Sequence, residues 1–204
     1  MKSTAVAAVA ALAVATLFAI PPARAEERIL ELDPASTLVH FSVGATGHDV
    51  HGTFHVAAGN VRFDPTTGVA GGEIRVDALS GETGNGSRDK TLREDVLETG
   101  SFPLFVFTPE KLVGTLPESG EASLELRGTV QLHGASHPLA LPARVRREGD
   151  RVTLAADFPI PYVEWGLHNP SFLFLRVDDV VQVHLEGQGS LGPSANATVA
   201  SKGR

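Results

Sequence analysis

The sequence predicts an all-β domain of antiparallel strands, and three observations predict it. Between Ile29 and Gly189 the chain falls into eight or nine short runs in which apolar and polar residues alternate. Gly, Pro, Asp and Asn divide the runs, and 21 Gly with 13 Pro among 204 residues leave little room for long helices. Strict alternation buries one face of each strand and wets the other, which marks antiparallel sheet rather than parallel α/β. Such strands must close into a barrel or pair into a sandwich, because open edges invite aggregation.

Residues 1–25 are read apart from this domain. Lys2 supplies a positive start, residues 4–20 an apolar stretch, and Pro21-Pro22-Ala23-Arg24-Ala25 ends in a small-x-small pattern. Together they predict a secretory signal peptide cut before Glu26. The alternative, a membrane anchor, calls for about 20 apolar residues and suits the proline pair less well. The domain is expected over residues 26–189.

Within the domain, Val39, Phe41 and Val43 alternate with His40 and Ser42. Val50, Gly52, Phe54 and Val56 then oppose His51, Thr53 and His55, and Ile74 and Val76 oppose Glu73, Arg75 and Asp77. One segment breaks the period. Ser87 is placed to cap a helix from Arg88 to about Glu98, with Asp89 in its first turn and Leu92 and Val96 on one stripe. Gly100 and Pro103 supply the stop, and the helix is expected to plug an open end of the sheet. Alternation resumes in Leu124, Leu126, Gly128, Val130 and Leu132, then in Val152, Leu154, Ala156 and Phe158, and finally in Val181, Val183 and Leu185. Residues 159–176, which hold the single Trp and Tyr, are apolar yet broken by proline and predict a packed loop. Ser190 to Arg204 are small and polar and predict a disordered tail.

Composition narrows the chemistry. The absence of Cys excludes disulfides, thiolate zinc sites and thiol-linked lipid anchoring. All 24 acidic residues lie beyond residue 25, so loss of Lys2 and Arg24 takes the formal charge from −7 to −9. That balance disfavours nucleic acid and anionic lipid head groups as main partners. His51 and His55 share a strand face but sit about 13 Å apart at roughly 3.3 Å per residue, too far for one ion. His133 and His137 flank Gly134-Ala135-Ser136 and are placed to face each other across a hairpin, two ligands where a metal needs more, so no metal or cofactor is expected. No nucleophile elbow or phosphate loop is present, and Asp178 and Asp179 point to opposite faces of an extended chain. Asn85-Gly86-Ser87 and Asn196-Ala197-Thr198 match glycosylation sequons, a pattern short enough to arise by chance. Nothing in the residues indicates catalysis.

What remains is the interior. Its inward faces mix large residues such as Phe41, Phe54, Phe63, Val130, Leu132 and Leu154 with small ones, Gly52, Ala78, Gly128, Ala143 and Ala156. Two readings stay open: the small residues leave a groove for an apolar chain, or they interleave with the large ones to fill a taper.

A series of motifs starts at Leu32-Asp33-Pro34-Ala35-Ser36-Thr37-x-Val39-x-Phe41-x-Val43 and continues through Val50-x-Gly52-x-Phe54 and Gly59-x-Val61-x-Phe63-Asp64-Pro65. Gly72-x-Ile74-x-Val76-Asp77, Ser80-x-x-Thr83-Gly84, Arg88-Asp89-x-x-Leu92-Arg93, Phe102-Pro103 and Phe107 follow. Gly128-x-Val130-x-Leu132-His133-Gly134-x-x-His137-Pro138-Leu139 completes the series, and in this order over about residues 30–187 the motifs resemble the YceI-like family of periplasmic lipid- or polyisoprenoid-binding proteins. The resemblance implies an eight-stranded, lipocalin-like antiparallel barrel that holds a long apolar chain, such as an isoprenoid or acyl lipid, in an extracytoplasmic compartment and without enzymatic activity. Two departures stand out: Glu94-Asp95-Val96-Leu97 where the family often has aromatics, and His168-Asn169-Pro170-Ser171 after Trp165-Gly166-Leu167. The lumen and loop residues expected to meet the guest are Phe41, Phe54, Phe63, Leu92, Val96, Phe107, Val130, Leu132, Leu154, Trp165 and Phe172, in a monomer or homodimer. The competing readings are an envelope stress-response module that uses outward residues such as His40, His51 and His55, and an enzyme dependent on His133 or His137.

Overall fold

A computed structural model describes residues 26–172 and 174–193. The predicted signal peptide and residues 194–204 lie outside the described residues. Nine strands form one sheet: β1 (Arg28–Leu32), β2 (Leu38–Ala45), β3 (His48–Phe63), β4 (Ala70–Glu82), β5 (Leu104–Val113), β6 (Gly120–Leu132), β7 (Ala135–Glu148), β8 (Arg151–Ile160) and β9 (Val181–Pro193). Every pairing between them is antiparallel.

The nine strands occupy eight positions of a closed barrel. β2 lies between β9 and the first half of β3, while β1 lies between the end of β9 and the second half of β3. β1 and β2 are thus one barrel strand interrupted by the 3₁₀ turn Pro34–Ser36. Asp33 makes the interruption: its carboxylate accepts from the Ala35 N–H at 3.1 Å and the Ser36 hydroxyl at 2.5 Å. Its carbonyl accepts from the fully buried Thr37 hydroxyl at 2.7 Å. Pairing of β3 with β4 closes the cylinder, so that every barrel position has a neighbour on both sides.

β9 runs four residues beyond the expected domain end. Ser190 to Pro193 pair with β1, and Leu191 is buried. Residues 190–193 therefore belong to the barrel and not to the disordered tail expected from Ser190. The composition of residues 190–193, Ser-Leu-Gly-Pro, hides the strand because only Leu191 carries the apolar alternation.

The helix also differs from expectation. It comprises α1 (Gly86–Thr91) and a π-helical turn, Leu92–Val96, and its cap is Asn85 rather than Ser87. The Asn85 side-chain oxygen accepts from the N–H groups of Ser87 and Arg88 at 3.1 and 3.2 Å, so the first sequon contributes a helix cap. The helix ends at Val96 with Leu97 as its C-cap, and Glu98 beyond it adopts a left-handed φ of 46°, before Gly100 is reached.

The interior divides into two apolar clusters. One, around Val61, Phe63, Leu124, Val145 and Val152, fills the end of the barrel next to β1. The other, around Phe41, Phe54, Val96, Leu97, Leu132, Tyr162 and Leu167, lies under the helix and the loop that follows β8.

Candidate functional site: an apolar cavity under the helix

The second cluster is not packed solid. It surrounds a cavity of about 230 Å³ whose wall is hydrocarbon and aromatic on every side. Strand alternation supplies the wall: Val39, Phe41 and Val43 from β2, Ile74 and Val76 from β4, Val130 and Leu132 from β6, Val181 and Val183 from β9. Leu92, Val96 and Leu97 cover it from the helix, and Tyr162, Trp165, Leu167 and Pro170 from the loop after β8. A smaller void of about 80 Å³ occupies the first cluster. Ile74, Leu141 and Leu185 wall both spaces. On β6 the small void takes Leu124 and Leu126 and the large one Val130 and Leu132, and on β8 Val152 to Ala156 give way to Phe158 and Ile160. The two spaces therefore succeed one another along the barrel axis.

Of the eleven predicted guest-facing residues, Phe41, Phe54, Leu92, Val96, Phe107, Val130, Leu132 and Trp165 line the large cavity. Phe63 and Leu154 wall the small void instead. Phe172 stands outside both, 72% exposed, because the loop expected to be packed turns outward after Pro170. The wall also takes residues the sequence reading did not single out, among them Phe105, Ile160, Tyr162 and Leu167. Ile160 and Tyr162 flank Pro161 at the end of β8, where alternation gives way to loop and leaves no periodic signal.

The inward glycines fill rather than empty the barrel. A Cβ on Gly52 would strike the ring of Phe41, its cross-strand partner. One on Gly128 would strike the Thr108 carbonyl and come within 2.9 Å of the Phe107 ring, and one on Gly81 would come within 2.6 Å of Phe54. These glycines seat phenylalanine rings at the wall. The cavity owes its space to the residues around it, not to the missing side chains at Gly52 and Gly128.

Polar residues of the predicted motifs fasten the helix to the barrel. In β4 the pairing with β3 is interrupted between Asp77 and Glu82, and Ser80 bridges the gap. Its hydroxyl donates to the Asp77 carbonyl at 2.6 Å and accepts from the His55 N–H at 2.8 Å. The buried Asp89 carboxylate accepts from the Thr83 N–H and hydroxyl at 2.8 and 2.5 Å. Arg88 donates to the Thr83 hydroxyl and carbonyl, and Arg93 to the Gly81 carbonyl. Tyr162 closes the other flank, donating to the Asp178 carbonyl at 2.9 Å. Burial, with the Asp179 and Asp178 carboxylates nearby, raises its phenol pKa to about 12.

His133 and His137 do not face each other. The hairpin between β6 and β7 is the two-residue turn His133-Gly134, both at positive φ, so His137 pairs with Val130. The His137 ring stacks on Trp165 at 4.4 Å, while the His133 ring packs on Phe102 at 4.6 Å. On the outer face, His184 pairs with Asp157 at 2.6 Å and His40 with Glu186 at 3.3 Å.

The YceI-like domain family matches residues 30–188. UPF0312 proteins of Vibrio vulnificus and Shewanella oneidensis are 27% and 29% identical to the chain. Their alignments cover 78% and 66% of this chain and 95% and 70% of theirs. Among solved structures, BcnA of Burkholderia cenocepacia superposes with a TM-score of 0.62 at 15% identity, covering 77% of this chain and 98% of its own. A polyisoprenoid-binding domain of Saccharophagus degradans, implicated in plant cell wall breakdown, gives 0.59 at 16% identity over 80% and 98%. At these identities the structures establish a shared barrel fold.

Proposed function

The chain belongs to the YceI-like family, and from that membership we propose that it is a non-enzymatic carrier or sequestering protein for a single long apolar chain. The observation that carries this reading is the cavity of about 230 Å³ walled by hydrocarbon and aromatic groups. Each methylene buried there gains roughly 0.8 kcal/mol, so a sixteen-carbon tail supplies on the order of 10 kcal/mol gross without a polar anchor. The succession of two spaces along the axis favours a slender guest, an isoprenoid or acyl chain, over a bulky one. The polyisoprenoid-binding description of the Saccharophagus domain supports the same class. An extracytoplasmic location accords with the composition of residues 1–25.

Denaturing extraction and mass spectrometry of the purified protein, with uptake of fluorescent polyprenyl and fatty-acyl probes, test the proposal. The expected result is a co-purified apolar lipid or saturable uptake, abolished by Val130→Phe with Val183→Phe, which fill the large cavity. Gly128→Leu is unsuitable as the filling variant, because its Cβ would strike backbone. Outer-face changes at His40 or His51 should leave uptake intact. An empty protein that takes up neither probe overturns the reading.

A further inference from the structure

Four of the large apolar residues exposed on the described surface, Phe172, Phe174, Leu175 and Val180, belong to the loop that roofs the cavity. Phe172 and Phe174 are 72% and 92% exposed. Such a concentration of aromatic surface at one point marks an interaction site rather than scattered surface apolarity.

The loop is held in this posture by its own bonds. Phe172 and Leu175 exchange backbone hydrogen bonds of 3.0 and 2.9 Å. Thr46 accepts the Arg176 N–H on its hydroxyl at 2.8 Å and donates its own N–H to the Arg176 carbonyl at 2.9 Å. The Val177 N–H donates to the Ser171 hydroxyl, and Asn169 donates to the Val177 carbonyl and the Asp179 carboxylate. Pro170 and Val177, on either side of Phe172 and Leu175, line the large cavity. The exposed rings therefore sit at the rim of the space proposed to hold the guest.

We propose that this loop is the docking tip by which the protein meets a lipid bilayer with zwitterionic head groups and exchanges its guest there, an inference that rests on the carrier reading. The charges select the occupant. Glu94, Asp95 and Glu98 border the depression beside Phe172, Asp178 and Asp179 are exposed at the end of the loop, and Arg176 is exposed on the tip itself. Both signs at one apolar rim match the ammonium and phosphate of a zwitterionic head group, with the phenylalanine rings reaching the acyl boundary. A second copy docking by the same face would set five carboxylates of each rim, offset by Arg176 alone, against the same acidic set. A strongly anionic surface would meet the chain's negative balance.

The test compares purified wild type with Phe172→Ser/Phe174→Ser; both sites are exposed, so the fold should survive. Three readouts are flotation with phosphatidylethanolamine–phosphatidylcholine vesicles, transfer of a fluorescent acyl probe from those vesicles, and uptake of the probe from dilute solution. Wild type should float, and the variant should not. The variant should also draw probe from vesicles at least about tenfold more slowly while taking it from solution at the wild-type level. A variant that floats and extracts as wild type does overturns the proposal. So does wild type that ignores vesicles but self-associates through the two rings. Wild type that floats by these rings yet takes no probe from solution supports the docking tip and refutes the carrier reading instead.

Discussion

At the scale of single residues, glycine and tyrosine shape the site in opposite ways. Gly52 lies under the Phe41 ring, and a side chain there would strike that ring and come within 2.6 Å of the Glu82 carbonyl. Gly52→Ala is expected to lower stability by about 1–3 kcal/mol through this overpacking, read as a shift of the urea midpoint. That the glycines seat rings was not legible in the sequence, since alternation places Gly52 on the inward face but only the register shows Phe41 opposite it. Tyr162 acts as a tether. Its pKa, raised to about 12, makes folding favour the neutral phenol, a stabilisation fully present below the unfolded value near pH 10. It is lost as pH rises from about 10 to 12. Alkaline titration followed by circular dichroism should show destabilisation across this window. Tyr162→Phe, which cannot ionise, should remove that dependence while losing about 1 kcal/mol at neutral pH with the bond to Asp178.

At the scale of elements, the strands were legible and the helix only partly so. Period two identified the inward faces of β2, β4, β6, β8 and β9 because each strand is wet on one side. The split of the first barrel strand in two was not read from the alternation; the Asp33-Pro34 turn makes the break. The helix stripe of Leu92 and Val96 was legible and does cover the cavity. Its cap was not, because Ser87 and Asn85 are both good capping residues and only the geometry decides between them. Asn85→Ala should destabilise the protein by about 1 kcal/mol. Asp89→Ala should cost more, about 1–3 kcal/mol, because it strands the part-buried Thr83 hydroxyl and N–H. Both effects should appear in thermal melts. Amide exchange should rise first in residues 86–98, the segment that roofs the cavity.

At the scale of the whole molecule, closure of the sheet gathers the apolar faces of its strands around one cavity. A guest that binds only the closed barrel stabilises it by mass action, about 2.7 kcal/mol at a hundred times its dissociation constant. Adding a matching acyl or polyprenyl probe should therefore raise the melting temperature of wild type but not of Val130→Phe/Val183→Phe. On the outer wall, the hydrogen bond from His184 lowers the Asp157 pKa, with the charges of His184 and Arg144 adding to it. Stability from that pair is present above the ordinary carboxylate range and is lost as pH falls below it. The pair is exposed, so Asp157→Asn should flatten the acid limb of the stability curve by no more than a few tenths of a kcal/mol.

The sequence by itself determined the antiparallel sheet, its inward faces and the family, because burial of one face of every strand writes a period into the chain that no later contact can alter. Tertiary structure alone decided which inward residues meet. It seated rings over glycines, extended β9 through an inconspicuous Ser190–Pro193, separated His133 from His137, and turned Phe172 and Phe174 outward at the rim. These outcomes depend on register and on where a loop finds its hydrogen-bond partners. Both are relations between distant segments, and the pattern within any one segment carries no record of them.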